Sequence, residues 1–207
     1  MVEAQIARRG VRDERVLAAM REVPRERFVI EAMRGYAFED SALPIEAGQT
    51  ISQPYIVALM LEAAAIEPSD RVLEIGAGSG YAAAVAGRLA REVHAIERLD
   101  ELATLARERM AALGYDNVRI YAGDGTHGLP DAAPFDAILV AAGAPSVPAT
   151  LRDQLVIGGR LVLPVGGSGV QRLLRIVRRG EDAFDEEDLG GVRFVPLIGA
   201  HGWSEPG

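Results

Sequence analysis

The sequence predicts an α/β protein with a doubly wound, mostly parallel sheet, antiparallel strands at its C-terminal end and a helical segment at its N-terminus. From Asp70 onward, short apolar runs alternate with amphipathic helical segments, as strands and crossover helices do in a parallel sheet. After Pro164, apolar runs follow one another without a helical segment between them, which indicates an antiparallel pair. The chain has 207 residues, enough for one domain with one hydrophobic core.

The chain is expected to form one domain in three segments. Residues 1–69 should be helical with loops and form part of the active site, residues 70–165 should form the ligand-binding core, and residues 166–207 should form the C-terminal strands. Within the first segment, Val16, Leu17 and Met20 have helical spacing, and Pro24 ends that helix. An extended stretch, Tyr36–Pro44, and a helix, Pro54–Ala65, are expected to follow.

The remaining elements follow the same alternation. We expect strands at Arg71–Ile75, Val93–Ile96, Val118–Tyr121, Phe135–Val140, Arg160–Pro164, Gln171–Arg178 and Val192–Leu197. We expect helices at Tyr81–Leu89, Leu99–Leu113 and Pro148–Leu155, the last ended by Gly158 and Gly159. The acidic run Glu181–Asp188 is interpreted as a solvated loop.

Composition excludes several classes of function. The chain has no cysteine, which excludes disulfides, thiol catalysis and cysteine-ligated metals. Its formal net charge of −8 disfavours nucleic-acid binding. The histidines His94, His127 and His201 lack metal-ligand spacing, so no metal is expected. No secretory signal or membrane-spanning run is visible, which favours a cytoplasmic location.

A glycine turn follows the first strand of the core. Gly76, Gly78 and Gly80 form a G-x-G-x-G pattern, whereas the pattern that holds a pyrophosphate is G-x-G-x-x-G. A nucleotide-like ligand without phosphates therefore fits better at this strand end. A tight strand–helix turn without a ligand is the alternative for the glycines alone.

Two acids stand at the ends of the next two strands. Glu97 lies where an acid binds ribose hydroxyls, and its alternative is a surface glutamate in the first turn of a helix. Asp124, between Gly123 and Gly125, can accept a hydrogen bond from an adenine amino group, and its alternative is an ordinary Asp-Gly turn. Three such features at consecutive strand ends favour a ligand site.

These motifs resemble the Rossmann-like, S-adenosylmethionine-binding sheet of class I methyltransferases. The run Gly48-Gln49-Thr50-Ile51-Ser52-Gln53-Pro54-Tyr55 further resembles the Thr-Ile-Ser-x-Pro signature of protein-L-isoaspartate O-methyltransferases. Further similar runs are Val72–Gly76, Gly123–Gly125, Ala133–Ile138, Gly158–Val162 and Val192–Leu197. The chain departs from the family at Ala77 and Ala141, where the family often has threonine.

The resemblance implies an enzyme that transfers a methyl group from S-adenosylmethionine to the free carboxylate of L-isoaspartyl residues in damaged proteins. It implies S-adenosyl-L-homocysteine as the other product, no metal, and a monomer or small homo-oligomer. Ser52 is expected at the catalytic position, and a plain helix N-cap is its alternative. The cofactor-binding residues are expected to be Thr50, Ile51, Glu74, Gly76, Ala77, Gly78, Gly80, Glu97, Arg98, Asp124 and Gly125.

Several interpretations remain open from the sequence. The chain could be a class I methyltransferase with a different acceptor, a nicotinamide-dependent oxidoreductase, or a non-catalytic S-adenosylmethionine-binding module. An isoaspartyl peptide could pair its backbone with Val192–Leu197 if that stretch is an edge strand. Trp203 could cover the active site or pack on the surface.

Overall fold

The computed structural model of the chain describes residues 1–167 and 169–205. Its strands are β1 (Leu43–Pro44), β2 (Thr50–Ile51), β3 (Arg71–Ile75), β4 (Glu92–Glu97), β5 (Val118–Ala122), β6 (Phe135–Val140), β7 (Leu155–Val165), β8 (Gln171–Arg178) and β9 (Phe184–Val192). Its α-helices are α1 (Glu14–Glu22), α2 (Pro54–Ala64), α3 (Tyr81–Gly87), α4 (Asp100–Leu113) and α5 (Ala149–Arg152). Short 3-10 helices lie at Ala7–Arg9, Arg25–Arg27, Glu31–Tyr36, Glu46–Gly48, Gly125–His127 and Pro130–Ala132, and a π-helical turn lies at Val2–Ile6.

Strands β3 to β9 form one sheet in the order β5-β4-β3-β6-β7-β8-β9. The strands from β5 to β7 in that order are parallel, and β8 and β9 are antiparallel to their neighbours. The chain leaves β3 through β4 and β5 and then crosses to β6 on the other side of β3. Ligands of open α/β sheets bind at the carboxyl ends of the strands where the order reverses in this way. The predicted doubly wound sheet is therefore confirmed, and the ends of β3, β4 and β6 are where a ligand is expected.

Apolar side chains on both faces of the central strands hold the sheet between its covering layers. Val72 joins a buried cluster formed with α1, α2, α3 and α4, whereas Leu73 and Ile75 point into a second cluster on the opposite face. Each fully buried side chain of this kind contributes about 1.5–3 kcal/mol to the free energy of unfolding. The strands predicted at β3, β4 and β6 match the observed ones to within one residue at each end, and their apolar side chains are buried on both faces of the sheet.

The N-terminal segment contains helix α1 and a separate two-stranded sheet formed by β1 and β2. Asp13 caps α1, since its side chain accepts hydrogen bonds from the backbone N–H groups of Arg15 and Val16. Pairing of β1 with β2 sets Leu43 opposite Ile51. The predicted extended stretch Tyr36–Pro44 is correct only at its end, because Glu31–Tyr36 forms a 3-10 helix and a turn precedes β1.

The predicted helix Pro148–Leu155, ended by Gly158 and Gly159, is wrong in extent. Helix α5 stops at Arg152, and both glycines lie inside β7. A Cβ at Gly159 would lie 2.8 Å from the carbonyl oxygen of Val156, and the pairing of β6 with β7 shifts register beside it. The glycines therefore serve an irregularity in a strand, which sequence spacing does not separate from a helix C-terminus.

The prediction that Glu181–Asp188 is a solvated loop is wrong, because Asp185–Asp188 lies within strand β9. Its carboxylates pair across the sheet with arginines of β8 and the turn that follows: Arg172 with Asp188 at 2.8 Å, Arg175 with Glu187 at 3.4 Å and Arg179 with Asp185 at 2.6 Å. Cross-strand pairs of opposite charge stabilise an exposed strand of this composition.

The predicted strand Val192–Leu197 is also wrong, because β9 ends at Val192. The chain then leaves the sheet edge and pairs with the segment after β6. The Gly143 N–H donates to the Val195 carbonyl at 2.7 Å, and the Leu197 N–H donates to the Gly143 carbonyl at 2.9 Å. One side of the segment 195–197 is thus paired within the chain, and pairing of a peptide with its backbone stays a prediction. Among the described residues, no helix has the length and hydrophobicity needed to cross a bilayer.

Candidate active site

Three adjoining cavities open at the carboxyl ends of β3, β4 and β6. Cavity A, about 610 Å³, is lined by Arg9, Ala42, Thr50, Ser52, Gln53, Tyr55, Ile56, Leu59, Ala141, Val170, Leu189, Gly191, Val192, Arg193, Phe194 and Val195. Cavity B, about 280 Å³, is lined by Gln49, Thr50, Ile75, Gly76, Gly78, Ile96, Glu97, Arg98, Leu99, Gly125, Ala141, Ala142, Val195, Pro196, Leu197 and Ile198. Cavity C, about 40 Å³, is lined by Thr50, Ile51, Ser52, Val57, Glu74, Gly76, Ala77, Gly78, Ser79, Tyr81, Ala82 and Ala141.

Thr50 and Ala141 line all three cavities, and Ser52 lines both cavity A and cavity C. These residues therefore mark the place where the cavities meet. Thr50 reaches this place because β2 pairs with β1, and Ala141 because it follows β6 directly. The predicted proximity of the Thr50–Ser52 segment to the glycine turn is what the structure shows.

The glycine turn between β3 and α3 presents backbone to cavities B and C. Gly76 and Gly78 have φ values of +86° and +53°, a region that favours glycine. The N–H groups of Gly76 and Ala77 both donate to the Ile96 carbonyl, which ties the turn to β4. A Cβ at Gly78 would meet only the tip of the Ile45 side chain at 3.6 Å, so the backbone there is open to a ligand.

Gly80 has a different role from Gly76 and Gly78. It lines none of the three cavities, and a Cβ at its position would lie 2.9 Å from the Met110 side chain. Its φ of +87° also starts α3 at this position. Glycine is therefore needed at position 80 because the start of α3 packs closely against α4.

The Glu97 carboxylate lies at the end of β4 and lines cavity B. One oxygen accepts a hydrogen bond from the Gly78 N–H at 2.8 Å, and the other accepts one from the Leu99 N–H at 3.0 Å. Each carboxylate oxygen can accept a second hydrogen bond, so Glu97 can still receive hydroxyl donors from a ligand. Arg98 lines the same cavity, and its guanidinium pairs with Glu205 at 2.7 Å.

The Glu74 carboxyl is buried beneath cavity C. Its residue is 1% exposed, and its Oε2 atom has no hydrogen-bond partner among the described residues. Burial, followed by the nearby charge of Glu97, raises the pKa of Glu74 to about 8. A buried, unpartnered carboxyl oxygen of this kind suits a ligand cation.

The Asp124 carboxylate is occupied by the protein itself and lines none of the three cavities. Oδ1 accepts hydrogen bonds from the N–H and hydroxyl of Thr126, and Oδ2 accepts one from the Ala200 N–H at 2.8 Å. Burial raises the pKa of Asp124, but these hydrogen bonds outweigh it and the pKa lies below its ordinary value. The neighbouring Gly125 does line cavity B.

The C-terminal segment forms a wall of cavity B that sequence reasoning missed. Val195–Ile198 line this cavity, and Trp203 secures them. The Trp203 backbone N–H donates to the Leu197 carbonyl at 2.7 Å, and its indole N–H donates to the Gly143 carbonyl at 2.9 Å. Trp203 thus fixes the segment beside the cavity, and its isolated position in the sequence gave no sign of this.

Ser52 lies between β2 and α2, and its hydroxyl forms no hydrogen bond with the described residues. The N-cap of α2 is Gln53, not Ser52, so the plain N-cap interpretation of Ser52 is wrong. No side chain caps this helix in the described part of the chain, and Pro54 is its first residue. The first N–H groups of a helix lack partners within the helix, so this helix start presents donors and a positive dipole end beside cavity A.

The structure therefore brings most of the predicted site residues together. All except Gly80 and Asp124 line at least one of the three cavities. Ile51 lines cavity C together with Ala77, which is part of the glycine turn.

The chain is similar to known proteins along its whole length. Residues 1–202 match the family described as protein-L-isoaspartate(D-aspartate) O-methyltransferase. A Pelobacter propionicus protein named protein-L-isoaspartate O-methyltransferase 2 is 60% identical over 98% of this chain and 91% of its own length. A Rhodopseudomonas palustris protein-L-isoaspartate O-methyltransferase is 60% identical over 100% of this chain and 95% of its own length.

Solved structures agree with these sequence relatives. A protein-L-isoaspartate O-methyltransferase has a TM-score of 0.88 and 31% identity over 98% of this chain and 67% of that chain. A beta-aspartate methyltransferase from Plasmodium falciparum, solved in complex with S-adenosyl-L-homocysteine, has a TM-score of 0.80 and 27% identity over 93% of this chain and 94% of that chain.

Proposed function

The chain belongs to the protein-L-isoaspartate(D-aspartate) O-methyltransferase family. From that premise we propose which of its residues hold the donor and the acceptor while a methyl group passes from S-adenosylmethionine to the free carboxylate of L-isoaspartyl residues. One observation supports the assignment above the others. Thr50 and Ala141 line all three cavities and Ser52 lines two of them, so cavity A, with the largest volume of the three, meets cavities B and C at one junction. Methyl transfer needs such a junction, because donor and acceptor must meet.

The residues around cavities B and C fit S-adenosylmethionine. Glu97 has free acceptor capacity for the ribose hydroxyls, and the unpartnered Oε2 of Glu74 suits the ammonium group of the methionine part. Gly76 and Gly78 leave the backbone accessible to a ligand. Since S-adenosylmethionine has no phosphate, its binding needs no phosphate-binding residues. When bound, S-adenosylmethionine supplies a methyl group already activated by its sulfonium.

Cavity A takes the isoaspartyl peptide in this proposal. The acceptor carboxylate resembles that of Asp, with an ordinary pKa near 4, so it is ionised at neutral pH and needs no general base. The chain has to hold this carboxylate, exclude water and align it with the donor. The free Ser52 hydroxyl and the uncapped start of α2 supply hydrogen-bond donors at the junction with cavity C.

Asp124 and Gly80 have less direct roles in this proposal. Asp124 organises the turn Gly125–His127 and anchors the C-terminal segment at Ala200, which together border cavity B. Its hydrogen bond to an adenine amino group stays a prediction. Gly80 allows α3 and α4 to approach each other.

We further propose that the chain acts as one methyltransferase unit. Ser52 of residues 1–69, the glycine turn of residues 70–165 and Val195 of residues 166–207 all line the connected cavities. The formal net charge of −8 supports a protein substrate without nucleic acid. The absence of cysteine supports a cytoplasmic location, and we propose a monomer or small homo-oligomer.

Ser52→Ala tests the assignment of the junction. We expect the variant to bind S-adenosyl-L-homocysteine with unchanged affinity and to lose about 10²-fold in kcat toward an isoaspartyl peptide, the scale of one lost donor at a reacting group. Thr126→Ser, which retains a hydroxyl away from the junction, serves as the folding control. Full activity of Ser52→Ala would contradict the assignment of Ser52. Absence of methylation of any isoaspartyl peptide by the unmodified chain, beside its aspartyl counterpart, would contradict the proposed function itself.

A further inference from the structure

Arg25 is a buried cation that lines none of the three cavities. Its residue is 0% exposed and stands in the 3-10 turn that follows Pro24. Arginine is almost never fully buried unless it is paired with an acid. Within residues 1–167 and 169–205, however, Arg25 forms no ion pair, and its Nη1 atom has no hydrogen-bond partner.

The contacts of Arg25 connect it to the catalytic junction. Its Nε–H donates to the Ala37 carbonyl at 2.9 Å, and its Nη2–H donates to the Ser52 carbonyl at 2.8 Å. Its guanidinium lies 4.7 Å from the ring centre of Tyr81, which lines cavity C. The Arg25 side chain thus holds the backbone of Ser52 and packs against the wall of cavity C.

The charge of Arg25 is not neutralised by a contacting acid. Asp40 acts on it electrostatically, but this carboxylate forms its ion pair with Arg9. Burial lowers the pKa of the Arg25 guanidinium, yet arginine remains protonated in proteins. The Tyr81 ring offsets only part of the desolvation cost through a cation–π contact. A positive potential therefore remains beside the Ser52 backbone.

We propose that Arg25 is a positioning residue that holds the Ser52 backbone in place and supplies the positive potential that retains the anionic acceptor in cavity A. The inference rests on the proposed function, because it takes the acceptor to be a carboxylate beside Ser52. A buried charge acts over longer distances than an exposed one, since little water screens it. The absence of a carboxylate partner is then explained, because the substrate carboxylate is the anion that the charge serves.

A purely structural Arg25 would support neutral and anionic ligands equally, so the test compares two peptides that differ only in charge. An isoaspartyl peptide carries the acceptor carboxylate, and its isoasparaginyl counterpart carries an uncharged carboxamide of the same shape. We would measure the Kd of each peptide for chains saturated with S-adenosyl-L-homocysteine. The unmodified chain should prefer the isoaspartyl peptide.

Arg25→Gln and Arg25→Lys separate charge from hydrogen bonding. Glutamine keeps a donor for the Ser52 carbonyl but removes the charge, and it should reduce the preference for the isoaspartyl peptide by about tenfold. Lysine keeps the charge and should retain most of the preference. The Kd of S-adenosyl-L-homocysteine should change less than twofold in both variants. An undiminished preference in Arg25→Gln would overturn the proposal.

Arg160→Gln is the matched control, because Arg160 also donates to backbone carbonyls from a largely buried position but lies at the opposite end of the sheet strands. It should lose stability without losing the preference between the peptides. If Arg25→Gln fails to fold, the side-chain Nε–H resonance of Arg25 in the unmodified chain replaces it. This resonance should shift on titration with the isoaspartyl peptide and not with the isoasparaginyl peptide, and equal responses would overturn the proposal. An unmodified chain without any preference would instead contradict the proposed function.

Discussion

Glu74→Gln should remove a pH dependence of stability that is built into the ligand-free site. The Glu74 carboxyl is fully buried, and its pKa is raised from 4.5 to about 8. Between these values the folded chain retains a proton that the unfolded chain has released. The free energy of unfolding must therefore fall as the pH rises through this window.

The size of the effect follows from the two pKa values of Glu74. At pH 7 the buried carboxyl should lower the free energy of unfolding by about 3 kcal/mol relative to pH 4.5, and above pH 8 the loss should approach about 5 kcal/mol. Glutamine has nearly the same shape and does not titrate. The difference in stability between Glu74→Gln and the unmodified chain should therefore grow with pH and level off above pH 8.

Urea unfolding of the ligand-free chains at a series of pH values between 4.5 and 9 measures this difference. Glu92→Gln is a control, because a hydrogen bond from Arg71 lowers the pKa of Glu92 below 4.5, so its difference in stability from the unmodified chain should stay constant across this pH range. Parallel stability curves for Glu74→Gln and the unmodified chain would refute the reasoning from burial.

The remaining predictions concern three walls of the site. Gly199→Ala would place a methyl group against the Asp124 carboxylate, so we expect about tenfold weaker binding of S-adenosyl-L-homocysteine by calorimetry. Gly190→Ala, which also has positive φ but faces open space, should bind normally. Glu97→Gln should weaken the same binding by about tenfold, because hydroxyl donors then lose a charged acceptor; unchanged affinity would contradict the ribose assignment. Arg193→Glu should raise KM by about threefold for isoaspartyl peptides with acidic neighbours and lower it for those with basic neighbours, because the charged side chains lining cavity A are arginines. Equal KM changes for both kinds of peptide would contradict the placement of the peptide beside Arg193.

The parts of the fold that local sequence decides were predicted correctly. Strand β6 is apolar at every position except Asp136 because both of its faces are buried, so its limits are visible in the sequence. The glycine turn and Glu97 were predicted as neighbours because parallel strands end at one edge of the sheet. The hydrogen bond from the Gly78 N–H to the Glu97 carboxylate is the contact that this reasoning requires.

The errors concern features that depend on distant partners. Strand β9 was not recognised, because its acids are stabilised by arginines of β8 that face them only after the sheet has formed. Gly158 and Gly159 were misassigned because helix ends and strand irregularities both require glycine. Arg25 escaped notice since the carbonyls that bury it come from residues 12 and 27 positions away.

Glu74 and Arg25 follow the same physical principle: Glu74 lines cavity C, and Arg25 packs against Tyr81 of its wall. Both are buried, neither has an ion-pair partner among residues 1–167 and 169–205, and the proposed function places a ligand group of opposite charge near each of them. The uncompensated charge of Arg25 destabilises the ligand-free chain, since an isolated buried charge is unfavourable, whereas Glu74 stays neutral below about pH 8 by keeping its proton. The bound donor and acceptor would supply the missing partners. Binding should therefore stabilise this chain by more than its contact area suggests, and each ligand should be selected by its charge as well as by its shape.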